Sequence, residues 1–286
     1  MNQELYKSKL LNLLIEFDKV CNQYQLRYFL IGGSMLGAVR HHGIIPWDDD
    51  IDVAMPRPDL EKLKSISSHV FSDNCELVDY HTKGYPYRFC KLMDKNTTVV
   101  ESEYNFFIGG VWIDVFAFDG LPGSKEEAEN YYHTAYAPNW YRLYSLCSPV
   151  KIVLNKGLRS FIVSLRSLWR HMIYTIPDLI CKLEKAAMKY DYDTAEWIIN
   201  FQGGYGLREM MRRDYFDEYI LADFEGGKFR IPKQYDAYLT WIYGDYMTPP
   251  PVDKRVSNHK LFFVDLDKRM SKDEILSILN RLDKNG

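Results

Sequence analysis

Residues 28–55 read YFLIGGSMLGAVRHHGIIPWDDDIDVAM, and the reading of this stretch decides the fold. The apolar run Tyr28 to Ile31 predicts a strand that breaks at Gly32-Gly33. About two helical turns follow, ending near Arg40, and the turn formers His42-Gly43 and Pro46 lead into Asp48, Asp49 and Asp50. From Ile51 to Met55 the chain alternates as a strand does, so Asp50 and Asp52 project to one face and Ile51 and Val53 to the other. So much carboxylate beside apolar residues is costly unless a cation neutralises it. A solvated acidic turn accounts for Asp48 and Asp49, but not comfortably for Asp52, which lies inside the apolar strand. Paired carboxylates a pleat apart are hard oxygen ligands suited to Mg²⁺ or Mn²⁺.

Upstream of the aspartates, Gly33 and Ser34 open the predicted helix. Glycines after a strand allow a sharp turn and close approach of a ligand, and the first N–H groups of a helix attract anions. A plain tight turn explains Gly-Gly-Ser equally well when it is taken alone. Downstream, residues 109–116 read GGVWIDVF, a strongly apolar β-run with a carboxylate, Asp114, at its centre. A buried aspartate needs a metal, a cation or backbone donors. A carboxylate from a neighbouring strand is what a two-metal ligand set lacks so far, and an Asp–Arg core pair is the alternative.

Around these segments the pattern is α/β. Leu10, Leu13, Leu14, Phe17, Val20 and Cys21 give residues 4–22 an amphipathic helical stripe. Pro56-Arg57-Pro58 ends the aspartate strand and a helix runs from Asp59 to about Ser67. Three β-like runs follow at 75–80, 87–93 and 97–101, the second holding Lys91, either on a solvated face or as a phosphate contact. From Ser124 to about Phe201 the sequence predicts helices broken at Pro138, Pro149 and Pro177. Within it, residues 158–174 combine an apolar stripe with Arg159, Arg166 and Arg170 on one flank. Such a helix suits a peripheral contact with an anionic membrane surface, or an ordinary core-facing role. Residues 224–232 predict a hairpin feeding a helix to about Tyr243, followed by a stiff Pro249-Pro250-Pro251. The expected division is a catalytic core over 1–122, a helical region over 123–202 and a C-terminal part over 203–286 that completes the substrate cleft.

Composition limits the functions available. The chain has 286 residues, 47% apolar and 26% charged, with a formal net charge of −3, so no global basic field supports nucleic-acid binding. Its five cysteines form no Cys-x-x-Cys pair, which argues for reduced cytoplasmic thiols over zinc or disulfides. No secretory leader is recognisable, and no run approaches the roughly eighteen apolar residues of a membrane span.

Gly-Gly-Ser after a strand, Asp-x-Asp on the next and a third Asp on a later strand resemble the nucleotidyltransferase superfamily. The longer stretch GGSMLGAVRHHGIIPWDDDIDVAM resembles the signature of the LicD family of phosphotransferases, to which the catalytic domain of fukutin-related protein is also similar. GVWIDVFAFDGLP and FEGGKFRIPKQYDAYLTWIYGDYMTPPP, with Arg255 and His259 after it, fit the same pattern. The resemblance implies a nucleotidyltransferase-like mixed sheet flanked by helices. It implies transfer of a phospho-alcohol, phosphocholine foremost, from CDP-choline, CDP-ribitol or CDP-glycerol to a hydroxyl of a glycan or lipid-linked oligosaccharide. CMP would leave, in the cytoplasm or at the inner membrane face. By the same resemblance Asp50 and Asp52 are the paired metal ligands, Asp114 the third carboxylate, and Gly33 and Ser34 the phosphate-holding turn. Arg40, Lys91 and His259 are further candidates for phosphate or donor contacts. A nucleotidyltransferase that leaves NMP on its acceptor, and a silent nucleotide-binding protein, are the alternatives.

Overall fold

The computed structural model describes residues 2–101, 107–147, 175–256 and 261–283. The residues 158–174 and His259 lie outside these. The chain forms two compact units, Met1–Phe118 with Gln202–Gly204 and Asp214–Gly286, and Asp119–Phe201 with Tyr205–Arg213.

The first unit is a mixed sheet flanked by helices. Helix α1 (Gln3–Tyr24) starts where the Asn2 side chain accepts the Leu5 N–H and ends at Gln25, whose φ of 55° is left-handed. Its stripe of Leu10, Leu14 and Phe17 is wholly buried, and Lys9 reaches Asp94 at 3.1 Å. Strand β1 (Phe29–Leu30) runs into helix α2 (Gly32–His41), and β2 (Asp52–Pro56) leads directly into α3 (Arg57–Val70), with Pro58 in its first turn. Buried Asp59 in that turn accepts the backbone N–H of Arg27 at 3.0 Å and its Nε at 2.8 Å, tying α3 to the segment before β1. Strands β3 (Cys75–Val78), β4 (Cys90–Asp94) and β6 (Trp112–Gly120) complete the order β1-β2-β6-β4-β3. Among the described residues only β2 and β6 pair parallel, and the other pairs are antiparallel. A parallel neighbour needs a crossover, and the chain from α3 through β4 supplies it.

Strand β5 (Thr98–Val100) does not join that sheet. It pairs with β11 (Phe263–Asp265), and Val100 shares a small core with Met270 and Ile275, the latter from helix α8 (Lys272–Asp283). The expected hairpin is β9 (Tyr219–Phe224) and β10 (Gly227–Pro232), feeding helix α7 (Tyr235–Tyr243). Its tip reaches the loop before the aspartates: Glu225 N–H bonds the His42 carbonyl at 3.0 Å, and Glu225 Oε1 accepts the Ile44 N–H at 2.8 Å.

The second unit departs from the all-helical expectation. Helix α4 (Lys125–Tyr131) opens on a Ser124–Glu127 capping box, and a π-helical turn, Tyr132–Tyr136, carries it into α5 (Ala137–Cys147). Pro138 therefore breaks nothing; the widened turn just before it accommodates a residue with no N–H to donate. Likewise Pro177 sits in the first turn of α6 (Ile176–Ala187), where a missing N–H costs little. The helical reading fails at β7 (Trp197–Ile199), which pairs antiparallel with Asp119–Gly120 at the end of β6 and with β8 (Met210–Arg212). Ile198 and Ile199 are fully buried, and tertiary pairing there overrides the helical context. Among the described residues no helix is long and apolar enough to cross a membrane.

Candidate metal and phosphate site

The site is built on the one parallel strand pair. Register places Asp52 of β2 opposite Asp114 of β6, and the Asp114 N–H donates to the Ile51 carbonyl at 2.9 Å. Asp50, in the loop entering β2, completes the group: one carboxylate oxygen from each of Asp50, Asp52 and Asp114 lies within 4.8 Å of the others. The strand alternation expected from sequence thus holds for Asp50 and Asp52, although regular pairing begins only at Asp52. Asp48, Asp49 and Asp50 make a second group of the same span. Five carboxylates this close repel strongly in a half-buried setting. The Asp48 carboxyl is pushed up to about 7, by burial first and then by Asp50 and Asp49. All donors are hard oxygens within reach of one another, which fits a divalent ion such as Mg²⁺ or Mn²⁺.

The glycine turn serves these carboxylates. A Cβ on Gly33 would stand 2.6 Å from Asp48 Oδ2, and one on Gly32, at φ +54°, 3.3 Å from Asp52 Oδ2. Both acids therefore press against the N-terminus of α2, where the helix dipole favours negative charge. No side chain caps α2, and its first N–H, on Gly32, goes to the Tyr238 hydroxyl at 3.1 Å. Ser34 is buried, and its Oγ accepts the Asp52 N–H at 2.8 Å. That bond fixes the start of β2 on α2.

Lys91 is 2% exposed, so the solvated-face alternative does not hold. Antiparallel register sets it opposite Asp114 on β4. Its ammonium lies 3.7 Å from Asp114 Oδ1 and also pairs with Glu101, which accepts from the Tyr87 hydroxyl as well. The same ammonium sits 3.7 Å from the Trp112 ring centroid and 4.4 Å from that of Tyr87. Asp114 therefore faces a lysine. Glu101 escaped the sequence reading; a lysine in an apolar strand was the available sign that a carboxylate must meet it.

Arg40 lies at the far end of α2 and, with Gly33, Trp47, Asp48, Tyr243 and Tyr246, lines a cleft of about 350 Å³. The cleft begins where Asp48 meets Gly33, so it opens from the aspartates.

Residues 25–144 match the nucleotidyltransferase domain described as LicD/FKTN/FKRP. The chain is 28% identical to the lipopolysaccharide cholinephosphotransferase LicD of Haemophilus influenzae, over 87% of this chain and 92% of that protein. It is 32% identical to an uncharacterized protein, RP689, of Rickettsia prowazekii, over 35% of this chain and 36% of the relative. A short segment, 12% of this chain and 7% of the relative, is 54% identical to the ribitol 5-phosphate transferase FKRP of Homo sapiens.

Proposed function

With residues 25–144 carrying a LicD-family nucleotidyltransferase domain, we propose that this protein is a metal-dependent phosphotransferase. It moves a phospho-alcohol, phosphocholine foremost, from a CDP-linked donor to a hydroxyl of a cell-surface glycan or its lipid-linked precursor. The observation that carries this reading is the convergence of Asp50, Asp52 and Asp114 oxygens within 4.8 Å beside the uncapped N-terminus of α2. The names of the two characterised relatives, one a cholinephosphotransferase and one a ribitol 5-phosphate transferase, support transfer of a phospho-alcohol rather than of a nucleotide.

In this reading Asp50, Asp52 and Asp114 hold a divalent ion, Mg²⁺ or Mn²⁺, which when bound would neutralise the donor diphosphate and make a coordinated hydroxyl more acidic. The acceptor oxygen forms a bond to the phosphorus carrying the alcohol. The bond from that phosphorus to the bridging oxygen breaks, and CMP leaves with the electron pair. Asp114 accepts the hydroxyl proton and passes it to water. Lys91, paired with Asp114 and Glu101 and ringed by Trp112 and Tyr87, orients Asp114. The N–H groups of Gly33 and Ser34 at the start of α2 face phosphate oxygens. Ser34 holds β2 so that Asp52 stays beside them.

The test is turnover of CDP-choline, CDP-ribitol and CDP-glycerol with a glycan acceptor and Mg²⁺, read as CMP release. Asp52→Asn should abolish that release while leaving the protein folded. Near wild-type release by Asp52→Asn would remove this acid from the site, and pyrophosphate release from a nucleoside triphosphate would favour nucleotidyl transfer instead.

A further inference from the structure

The cleft that leads away from Asp48 is lined by Arg40, Trp47 and Lys254, and Arg255 lies over the ring of that Trp47. Arg40 Nη1 donates to the Tyr246 carbonyl at 2.6 Å, and Arg255 Nε to the Pro250 carbonyl at 2.8 Å. Each guanidinium is thus aimed by a backbone carbonyl of the loop after α7, and Arg40 Nε also donates to His41 Nδ1 at 3.4 Å. Arg255 lies 5.2 Å over the Trp47 ring, and His41 meets the same ring edge-on at 5.9 Å. Among the described residues neither arginine forms an ion pair with a carboxylate. Asp245, which lines the same cleft, accepts the Thr248 hydroxyl at 2.7 Å.

The two arginines feel one another: Arg40 is held below its usual basicity by burial first and then by Arg255. His41 is lowered in the same way, by burial, Arg40 and Arg255. Half-buried like charges gathered about one cleft are unfavourable unless an anion joins them. Guanidinium forks match phosphate geometry better than any other side chain does.

Resting on the phosphotransferase reading above, we propose that Arg40 and Arg255, set around Trp47, bind a second phosphate group of a substrate. This group would sit in the cleft away from Asp50, Asp52 and Asp114. It belongs either to the nucleotide side of the donor or to a phosphate-bearing acceptor. The same geometry keeps a quaternary ammonium off Trp47, because Arg255 already covers that ring and like charges repel.

The experiment is calorimetric binding of CMP, cytidine and inorganic phosphate, with KM measured separately for donor and acceptor. Wild type is compared with Arg40→Met, Arg255→Met and Arg255→Lys. A donor phosphate predicts CMP binding weakened about tenfold or more in both methionine variants, with cytidine unchanged and partial recovery in Arg255→Lys. An acceptor phosphate predicts unchanged CMP binding and a similar rise in acceptor KM alone. If folded methionine variants alter neither CMP or phosphate binding nor either KM, the site is overturned. Because CMP and phosphate binding need no turnover, arginine-dependent binding without phosphotransfer would sink the reaction and leave this site standing. Phosphotransfer indifferent to both arginines would do the reverse.

Discussion

Asp52 and Asp114 stand opposite one another on the one parallel strand pair of the first unit, held in register by the bond from Asp114 N–H to the Ile51 carbonyl at 2.9 Å. Neighbouring strands lie about 4.8 Å apart, so the two carboxylates face each other at roughly that separation. Such a pair costs folding energy when no cation is present and returns it when one binds. Asp52→Asn should therefore raise the melting temperature in chelator by the equivalent of about 1 kcal/mol or more. It should also lose most of the stabilisation that millimolar Mn²⁺ gives wild type. Differential scanning calorimetry with and without Mn²⁺ checks both; an unchanged Mn²⁺ response in the variant would contradict the ligand assignment.

Lys91 makes the complementary prediction. It is 2% exposed between Asp114 and Glu101, and replacing it with Met leaves two carboxylates without their shared cation. Removing one partner of a buried ion pair costs roughly 3–5 kcal/mol, more than the net worth of the pair. Lys91→Met should lose stability on that scale in urea titrations. Lys91→Met with Glu101→Gln should recover part of it, since one uncompensated charge is gone. A single variant as stable as wild type would mean that the ammonium is not what balances these acids.

The carboxylates were legible in the sequence because each breaks a local rule. Asp52 and Asp114 are charges inside apolar strands, and strand alternation alone selects Asp50 with Asp52. What brings Asp114 to them is a parallel pairing across more than fifty residues, and what brings Lys91 is an antiparallel one; neither register is a local property. The same limit explains β7. Trp197-Ile198-Ile199 follows a long helical stretch, and only the free edge at Asp119–Gly120 makes it a strand. Glu101 stayed hidden for a different reason: its own neighbours in sequence mark nothing, and its meaning comes from the Lys91 it meets.

Gly37 lies in the middle of α2, a position where alanine normally stabilises by up to about 1 kcal/mol. Here a Cβ would stand 2.4 Å from the Gly43 carbonyl oxygen, which is backbone and cannot rotate away. The helix end and the loop that carries Trp47 and the aspartates are therefore packed too closely for a methyl group. Gly37→Ala should destabilise by about 1–3 kcal/mol, the scale of overpacking, and weaken Mn²⁺ binding by displacing that loop. A stabilised variant, the ordinary helix result, would show that the contact is loose.

In the second unit Glu209 is 4% exposed, and its Oε1 accepts the Tyr205 N–H at 3.4 Å. Burial lifts its carboxyl from 4.5 to about 7, with the Tyr205 bond and Arg208 opposing. Between those two values the folded chain keeps a proton that the unfolded chain has released. The stabilisation is thus fully present below about pH 4.5, declines as pH rises, and is lost above about 7. Its size is on the order of 3 kcal/mol. Glu209→Gln keeps the oxygen that accepts from Tyr205 but cannot ionise. The variant should match wild type near pH 4.5 and exceed it at pH 8, so the difference between their urea midpoints should open across that window. Parallel pH profiles for the two proteins would show that Glu209 ionises without penalty where it stands.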